Sequence, residues 1–212
     1  MIIVHHLENS RSQRVLWLLE ELGLDYEVRR YRRDPKSMLA PPELRAAHPL
    51  GKSPVIEDRS TDGGPRIVAE TGAIVEYLVE KAGGRLGPPA RRDDVLRYRH
   101  FLHYAEGSMM GPLFAMLVVR RLGLLGRPAL APIQKMIDTH LDWLEAELSE
   151  RPWFAGEEFS AADVMMSFPL EAARHRAGLD ERRPHLIDWI ERIHARPAYA
   201  RALAKGGPYA YA

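Results

Sequence analysis

No cysteine occurs among the 212 residues. That absence excludes disulfides, a cysteine nucleophile, thiolate metal ligands and a redox Cys-x-x-Cys pair. It agrees with a reducing compartment, and a cytoplasmic location is the expectation. A dominant charge is missing too: 30 Lys and Arg against 29 Asp and Glu leave a formal net charge of +1. A dedicated nucleic-acid binder needs a clearly basic footprint, so no nucleic-acid partner is expected. Short runs such as Arg29-Arg30-Tyr31-Arg32-Arg33 read as solvated faces. No window approaches the ~20 apolar residues of a membrane helix, so no membrane partner is expected. The N-terminus has no basic region followed by a long apolar stretch, and no signal peptide is read there. Hydrophobic residues still make up 46% of the chain, enough for one large core or two small ones.

What is present begins with an apolar run, Met1-Ile2-Ile3-Val4, which reads as a strand. Val15, Leu18, Leu19 and Leu22 follow at helical spacing, and Gly23 is a natural stop. Ser10 and Gln13 have the spacing of a capping box at the helix start. A strand, a tight polar turn and a helix N-terminus make a place that favours negative charge. Asp25 to Arg29 alternates weakly and gives a second strand, completing a βαβ unit. Residues 34–50 are broken by prolines, with a short helix read at 43–47. Val55-Ile56 after Pro54 is a third strand, and Arg66 to Ala69 a fourth, joined as an antiparallel hairpin through Asp62-Gly63-Gly64-Pro65. Glu70-Thr71 leads into a helix.

Residues 83–91, rich in glycine and proline, read as a linker between an α/β domain at 1–82 and an all-α helical domain at 92–212. Beyond the linker the strand signals vanish. A long helix is read at 92–121 with a kink at Gly111-Pro112, another at 129–149, and a third opened by a capping box at Ser160-Ala161-Ala162-Asp163. Pro184 and Pro197 each sit where a proline starts a helix.

In this order and spacing the chain resembles the soluble glutathione S-transferase superfamily, bacterial-like, over nearly its whole length. The resemblance rests on Asn9-Ser10-Arg11-Ser12, on Pro49-Leu50-Gly51-Lys52-Ser53-Pro54-Val55, on Glu70-Thr71-Gly72-Ala73-Ile74 and on the Phe159-to-Asp163 box. It implies a thioredoxin-like N-terminal domain, an all-helical C-terminal domain, glutathione as co-substrate with no metal, and a homodimer. Glutathione carries two carboxylates, an ammonium and a thiol. By resemblance Ser53 pairs its backbone with the cysteinyl part beside a cis Pro54. Glu70 and Thr71 hold the γ-glutamyl end, and Lys52 neutralises the glycyl carboxylate.

The resemblance also implies that a helix start and a hydroxyl donor activate the thiol. A free thiol has pKa about 8.5, and lowering it by about 2 units takes ~2.7 kcal/mol. A helix dipole supplies roughly 0.3–2 kcal/mol and a charge-assisted hydrogen bond about 1.5–3 kcal/mol. Ser10 matches the serine of theta- and delta-like enzymes best; Asn9, and after it Ser12, are the alternatives. His5 and His6 stand where other classes carry a tyrosine, and read as structural. The second substrate, an electrophilic small molecule or a peroxide, is expected between the domains. His103, Tyr104, Gly107, Met110 and Phe114 are its candidate lining, although such spacing also describes a core. The tail from Gly206 to Tyr211 could fold over that cleft or be disordered. A glutathione-dependent peroxidase or isomerase, and a non-catalytic binding or assembly module of the same fold, remain as alternatives.

Overall fold

The N-terminal apolar run opens β1, Ile2–Leu7, every residue of which is buried. The strand passes its expected end at Val4 because two buried histidines find partners on opposite faces of the sheet. His5 Nδ1 lies 2.8 Å from the Tyr31 hydroxyl, and His6 Nδ1 lies 2.8 Å from Ser12 Oγ. The computed structural model describes residues 1–212. β2, Tyr26–Tyr31, runs parallel to β1; β3, Val55–Asp58, is antiparallel to β1; β4, Arg66–Ala69, is antiparallel to β3. The sheet order is β2-β1-β3-β4, the mixed sheet of a thioredoxin-like domain.

Helix α1, Ser12–Leu22, ends at Gly23, whose φ of 59° is the left-handed cap conformation that glycine adopts at least cost. Its burial exceeds the single stripe read from the sequence: Val15, Leu16, Trp17, Leu18 and Leu19 are all at 0% exposure. The extra cover is the last helix of the chain, α8, Pro197–Gly206, which packs along α1. Tyr199 meets Trp17 edge to face at 5.2 Å. Arg196 forms a bidentate pair with Glu21 (2.6 and 2.9 Å), and Arg201 and Lys205 both reach Glu20. Helix α2, Thr71–Lys81, is anchored to β3 through Asp58, a fully buried carboxylate that accepts from Tyr77, Lys81 and Ser60. Burial alone would push Asp58 up, but bonds from Lys81, Ser60 and Tyr77 outweigh it and hold the carboxyl well below its usual range.

Residues 1–87 with 194–210 form one compact unit and residues 88–193 a second. The expected 92–212 grouping therefore splits at α8, which the polar and aromatic contacts above hold to the strand-bearing unit. The second unit holds α3, Arg92–Tyr104; α4, Met110–Arg121; α5, Arg127–Glu150; α6, Ala161–Arg176; and α7, Pro184–His194. The irregularity expected at Gly111-Pro112 lies one turn earlier, as a π turn over Ala105–Met109. Pro112 can give no N–H to the carbonyl four residues back and its ring crowds it, and a widened turn upstream relieves both.

The Ser160 box forms as read. Ser160 Oγ accepts from Ala162 N, and Asp163 Oδ2 accepts from Ser160 N at 2.9 Å. Asp163 Oδ1 also takes the Phe154 amide (3.0 Å) and the Trp189 indole (3.2 Å). Complete burial raises the Asp163 pKa to about 6 in spite of these donors.

Candidate active site

Three loops meet at one end of the sheet, and the register says why. His5 pairs with Val55 and Val55 with Ala69, so the end of β1, the start of β3 and the end of β4 lie side by side. The residues just beyond those strand ends are the Glu8-to-Arg11 turn, Ser53-Pro54 and Glu70-Thr71. Every motif that carried the glutathione reading in the thioredoxin-like half therefore falls at the same sheet end.

The first loop leads from β1 into α1. Asn9 takes a positive φ of 49°, which asparagine tolerates better than most residues. Its side-chain Oδ1 accepts from the Ala210 amide at 2.7 Å, so the C-terminal tail is tied to this turn. The capping box expected of Ser10 and Gln13 does not form. Arg11 occupies the N-cap position without a side-chain cap bond, and the Gln13 amide is buried with neither of its polar atoms partnered. Ser10 instead accepts from the Ser12 amide (3.2 Å), and its Oγ lies 2.7 Å from Ser12 Oγ. Ser12, fully buried, accepts from the Leu7 amide (3.2 Å) and touches His6 Nδ1 at 2.8 Å. Ser12 and His6 are thus partners of Ser10, a link that crosses a strand, a turn and a helix start and leaves no periodic trace in the sequence. Burial and then Arg30 lower the His6 pKa to about 4, so the imidazole is neutral.

The second loop holds the Ser53–Pro54 bond in the cis form, as the resemblance implied. Ser53 Oγ donates to the His5 carbonyl at 2.8 Å and accepts from Leu7 N at 3.3 Å, which fastens this loop to the end of β1. Pro54 is buried, and Lys52 is exposed. In the third loop Glu70 stands at the N-cap of α2 with φ 70° and ψ 126°. A side-chain-bearing residue held there costs about 1–3 kcal/mol, a strain that persists where the surroundings fix it and that clusters at functional sites. Glu70 is exposed, and Thr71, the first residue of α2, is buried.

His5 is on the other face of the sheet from His6, bonded to Tyr31. The five residues named as lining for a second substrate divide between two environments. Tyr104 and Met110 are buried, at 8% and 5% exposure, whereas Phe114 is 59% exposed. His103 and Gly107 are exposed as well. The Tyr104 hydroxyl is spent on His140 Nδ1 at 2.5 Å, and burial pushes it well above the usual tyrosine range. The π turn is the physical reason: it rotates everything after Tyr104 away from simple i, i+3, i+4 spacing. No three His, Asp or Glu side chains gather as a metal site, and no helix is long and apolar enough to cross a membrane.

The chain was compared with known proteins. The family description "Glutathione S-transferase, N-terminal domain" matches residues 10–81, and "Glutathione S-transferase, C-terminal domain" matches residues 127–192. Glutathione S-transferase 3 of Schizosaccharomyces pombe is 34% identical, over 97% of this chain and 88% of its own length. The disulfide-bond oxidoreductase YfcG of Escherichia coli is 30% identical, over 97% of this chain and 95% of its own. A crystal structure of a glutathione S-transferase from Actinobacillus pleuropneumoniae superposes with a TM-score of 0.87 at 32% identity, covering 100% of this chain and 95% of that one. The chain belongs to the glutathione S-transferase family.

Proposed function

We propose that this protein is a glutathione transferase of the serine type, theta/delta-like, in which Ser10 holds the glutathione sulfur as a thiolate. The observation that carries the reading is the convergence at one sheet end of Ser10 at the start of α1, Ser53 beside a cis proline, and the strained Glu70 ahead of Thr71. The tripeptide is read as an added strand against the Ser53 backbone. Glu70 faces its ammonium, Thr71 and the α2 N-terminus take its γ-glutamyl carboxylate, and Lys52 takes the glycyl carboxylate. The thiolate then attacks an electrophilic carbon of a small molecule. Stabilisation of charge and proximity supply the catalysis. A cytoplasmic homodimer is part of the same proposal, the dimer being checked by sedimentation.

The test is the ultraviolet difference spectrum of bound glutathione against pH in wild type and Ser10→Ala. Wild type should show a thiolate pKa about 2 units below the free thiol, and the variant should lose 1 to 2 of those units, about 1.5–3 kcal/mol, while still binding. A shift that survives in Ser10→Ala would move the role to Asn9 or to backbone amides of α1.

A second reading is favoured by the similarity to the disulfide-bond oxidoreductase YfcG. The same thiolate would attack a disulfide sulfur, with glutathione alone supplying thiols because the chain has no cysteine. Product analysis with an aryl halide and with a glutathione mixed disulfide separates the two.

A further inference from the structure

The hydroxyls behind Ser10 can be assigned a direction by counting protons. His6 uses one ring nitrogen toward Ser12 Oγ, at 2.8 Å from Nδ1, and donates with the other to the Gly206 backbone carbonyl. Nε2 is the donor there, since Gly206 presses on it so closely that an added Cβ would sit 3.4 Å away. A neutral imidazole with its proton on Nε2 offers a lone pair at Nδ1. Ser12 must therefore give its only proton to Nδ1; sending it to the Leu7 carbonyl, 3.3 Å away, would set two lone pairs against each other at 2.8 Å. The remaining lone pairs of Ser12 Oγ take the Leu7 amide and, at 2.7 Å, Ser10. Ser10 must then be the donor of that bond. Its own oxygen accepts from Ser12 N at 3.2 Å and keeps one lone pair unused. In this state Ser10 has no proton to offer a sulfur anion.

We propose that ionisation of the bound thiol reverses the Ser10–Ser12–His6 chain and leaves a proton on Nδ1 of His6, which makes His6 and Ser12 positioning residues for Ser10. The inference rests on the reading of Ser10 as the group that meets the sulfur. The thiol first donates its S–H to the free lone pair of Ser10. The S–H bond breaks and an O–H bond forms on Ser10, whose former proton passes to Ser12 Oγ, and the former proton of Ser12 passes to His6 Nδ1. Each oxygen ends with one proton, sulfur carries the negative charge and the imidazole the positive. His6 now donates to Ser12, Ser12 to Ser10, and Ser10 to the thiolate, the orientation that stabilises an anion.

The groups facing His6 explain why the relay rests in the neutral state without glutathione. Burial disfavours the cation first, and Arg30 on β2 adds to that, while the Gly206 carbonyl on α8 and Glu8 in the turn oppose it. From α1 only uncharged Ser12 and Gln13 approach, the latter with its amide unpartnered. Arg30 is itself turned onto the Lys205 carbonyl, where both its Nε and Nη2 donate. A sulfur anion at the outer end of the chain is the one charge that changes, and it favours imidazolium.

The experiment is nitrogen NMR of 15N-histidine-labelled protein, with the His6 signals assigned by their loss in His6→Gln. Samples are free, saturated with glutathione at a pH where the thiolate absorbs, and saturated with S-methylglutathione, which has no proton to give. The proposal expects His6 to change from Nε2-protonated to doubly protonated with glutathione only, its pKa rising by at least about 1 unit from the value in the free protein. Ser12→Ala should abolish that response, and the wild-type comparison of the two ligands stands even where the variant does not fold. An unprotonated Nδ1 in the presence of thiolate absorbance overturns the relay. Ser10→Ala separates the two levels: thiolate absorbance that persists there sinks the Ser10 reading itself. Absorbance lost in Ser10→Ala, with His6 silent in wild type, sinks only the relay.

Discussion

Replacing Asp163 by alanine should destabilise the protein by an amount that depends on pH in an unusual direction. The carboxylate is fully buried and takes four hydrogen bonds, from the Phe154 amide, the Ser160 amide and hydroxyl, and the Trp189 indole. Alanine leaves three N–H donors buried, at about 1–3 kcal/mol each before any water enters the gap. Against this stands the cost of keeping a charge in the interior. The folded pKa is raised from an ordinary 3.8 to about 6. A carboxyl raised on folding binds its proton more tightly in the native state, so folding is favoured at low pH and the contribution is lost as pH rises through the folded pKa. At pH 8 the ionised group costs about 3 kcal/mol, and at pH 5, where it is mostly protonated when folded, about 1.6 kcal/mol. The destabilisation by Asp163→Ala should therefore be larger at pH 5 than at pH 8 by about 1.4 kcal/mol, within a total of about 2–6 kcal/mol. Urea unfolding of both proteins at the two pH values measures it, and every other titrating group cancels in the difference. An equal or larger effect at pH 8 would mean that the four donors overcome burial, and the reasoning would be refuted.

Three more perturbations follow from the same coordinates. Gly206→Ala would put a methyl 2.7 Å from Gln13 Oε1 and 2.9 Å from Leu16 Cδ1, both on buried side chains, and should cost about 1–3 kcal/mol in urea unfolding. Arg196→Ala breaks the bidentate pair with Glu21 that fastens α8 to α1, and should cost about 1.5–3 kcal/mol, with Arg196→Lys recovering only part because the fork geometry is lost. Lys81→Met removes the cation 2.8 Å from Asp58. Asp58 is depressed in the folded state, so its stabilisation exists above the ordinary carboxyl pKa and disappears as pH falls through the folded value. The variant should lose about 1–3 kcal/mol at neutral pH, and the gap to wild type should close in strong acid.

Elements whose cause is local were legible in the sequence. Ser160 and Asp163 sit three apart and form the box their spacing announces, and Pro184 and Pro197 open helices because a missing N–H is harmless at a first turn. The Ser10–Gln13 pair had the same local spacing and failed, because Ser10 is engaged by Ser12 and burial under α8 leaves the Gln13 amide without a partner. The reach of α8 back to α1 was hidden for a different reason: Glu20, Glu21, Arg196 and Arg201 are ordinary surface residues until the fold brings them together across 175 positions and more. The motifs at Ser10, Ser53-Pro54 and Glu70-Thr71 were found one by one, and only the strand register gathers them at one sheet end. His6 gave no sign of its link to Ser12, since hydrogen-bond direction is a property of protons and neighbours that no residue pattern encodes.

The return of α8 to α1 gives synthesis of the chain an order. Trp17 is among the first residues to leave a ribosome, and Tyr199, which covers it, is among the last. The usual N-terminal-first sequence of domain folding is therefore closed to this chain. The helical segment from 88 to 193 can collapse while translation continues, but the strand-bearing unit must wait, with the α8 side of α1 uncovered, until the final twenty or so codons have been read and released. A nascent chain stalled short of Arg196 would display that bare helix to chaperones, and competence to bind glutathione would arrive at termination.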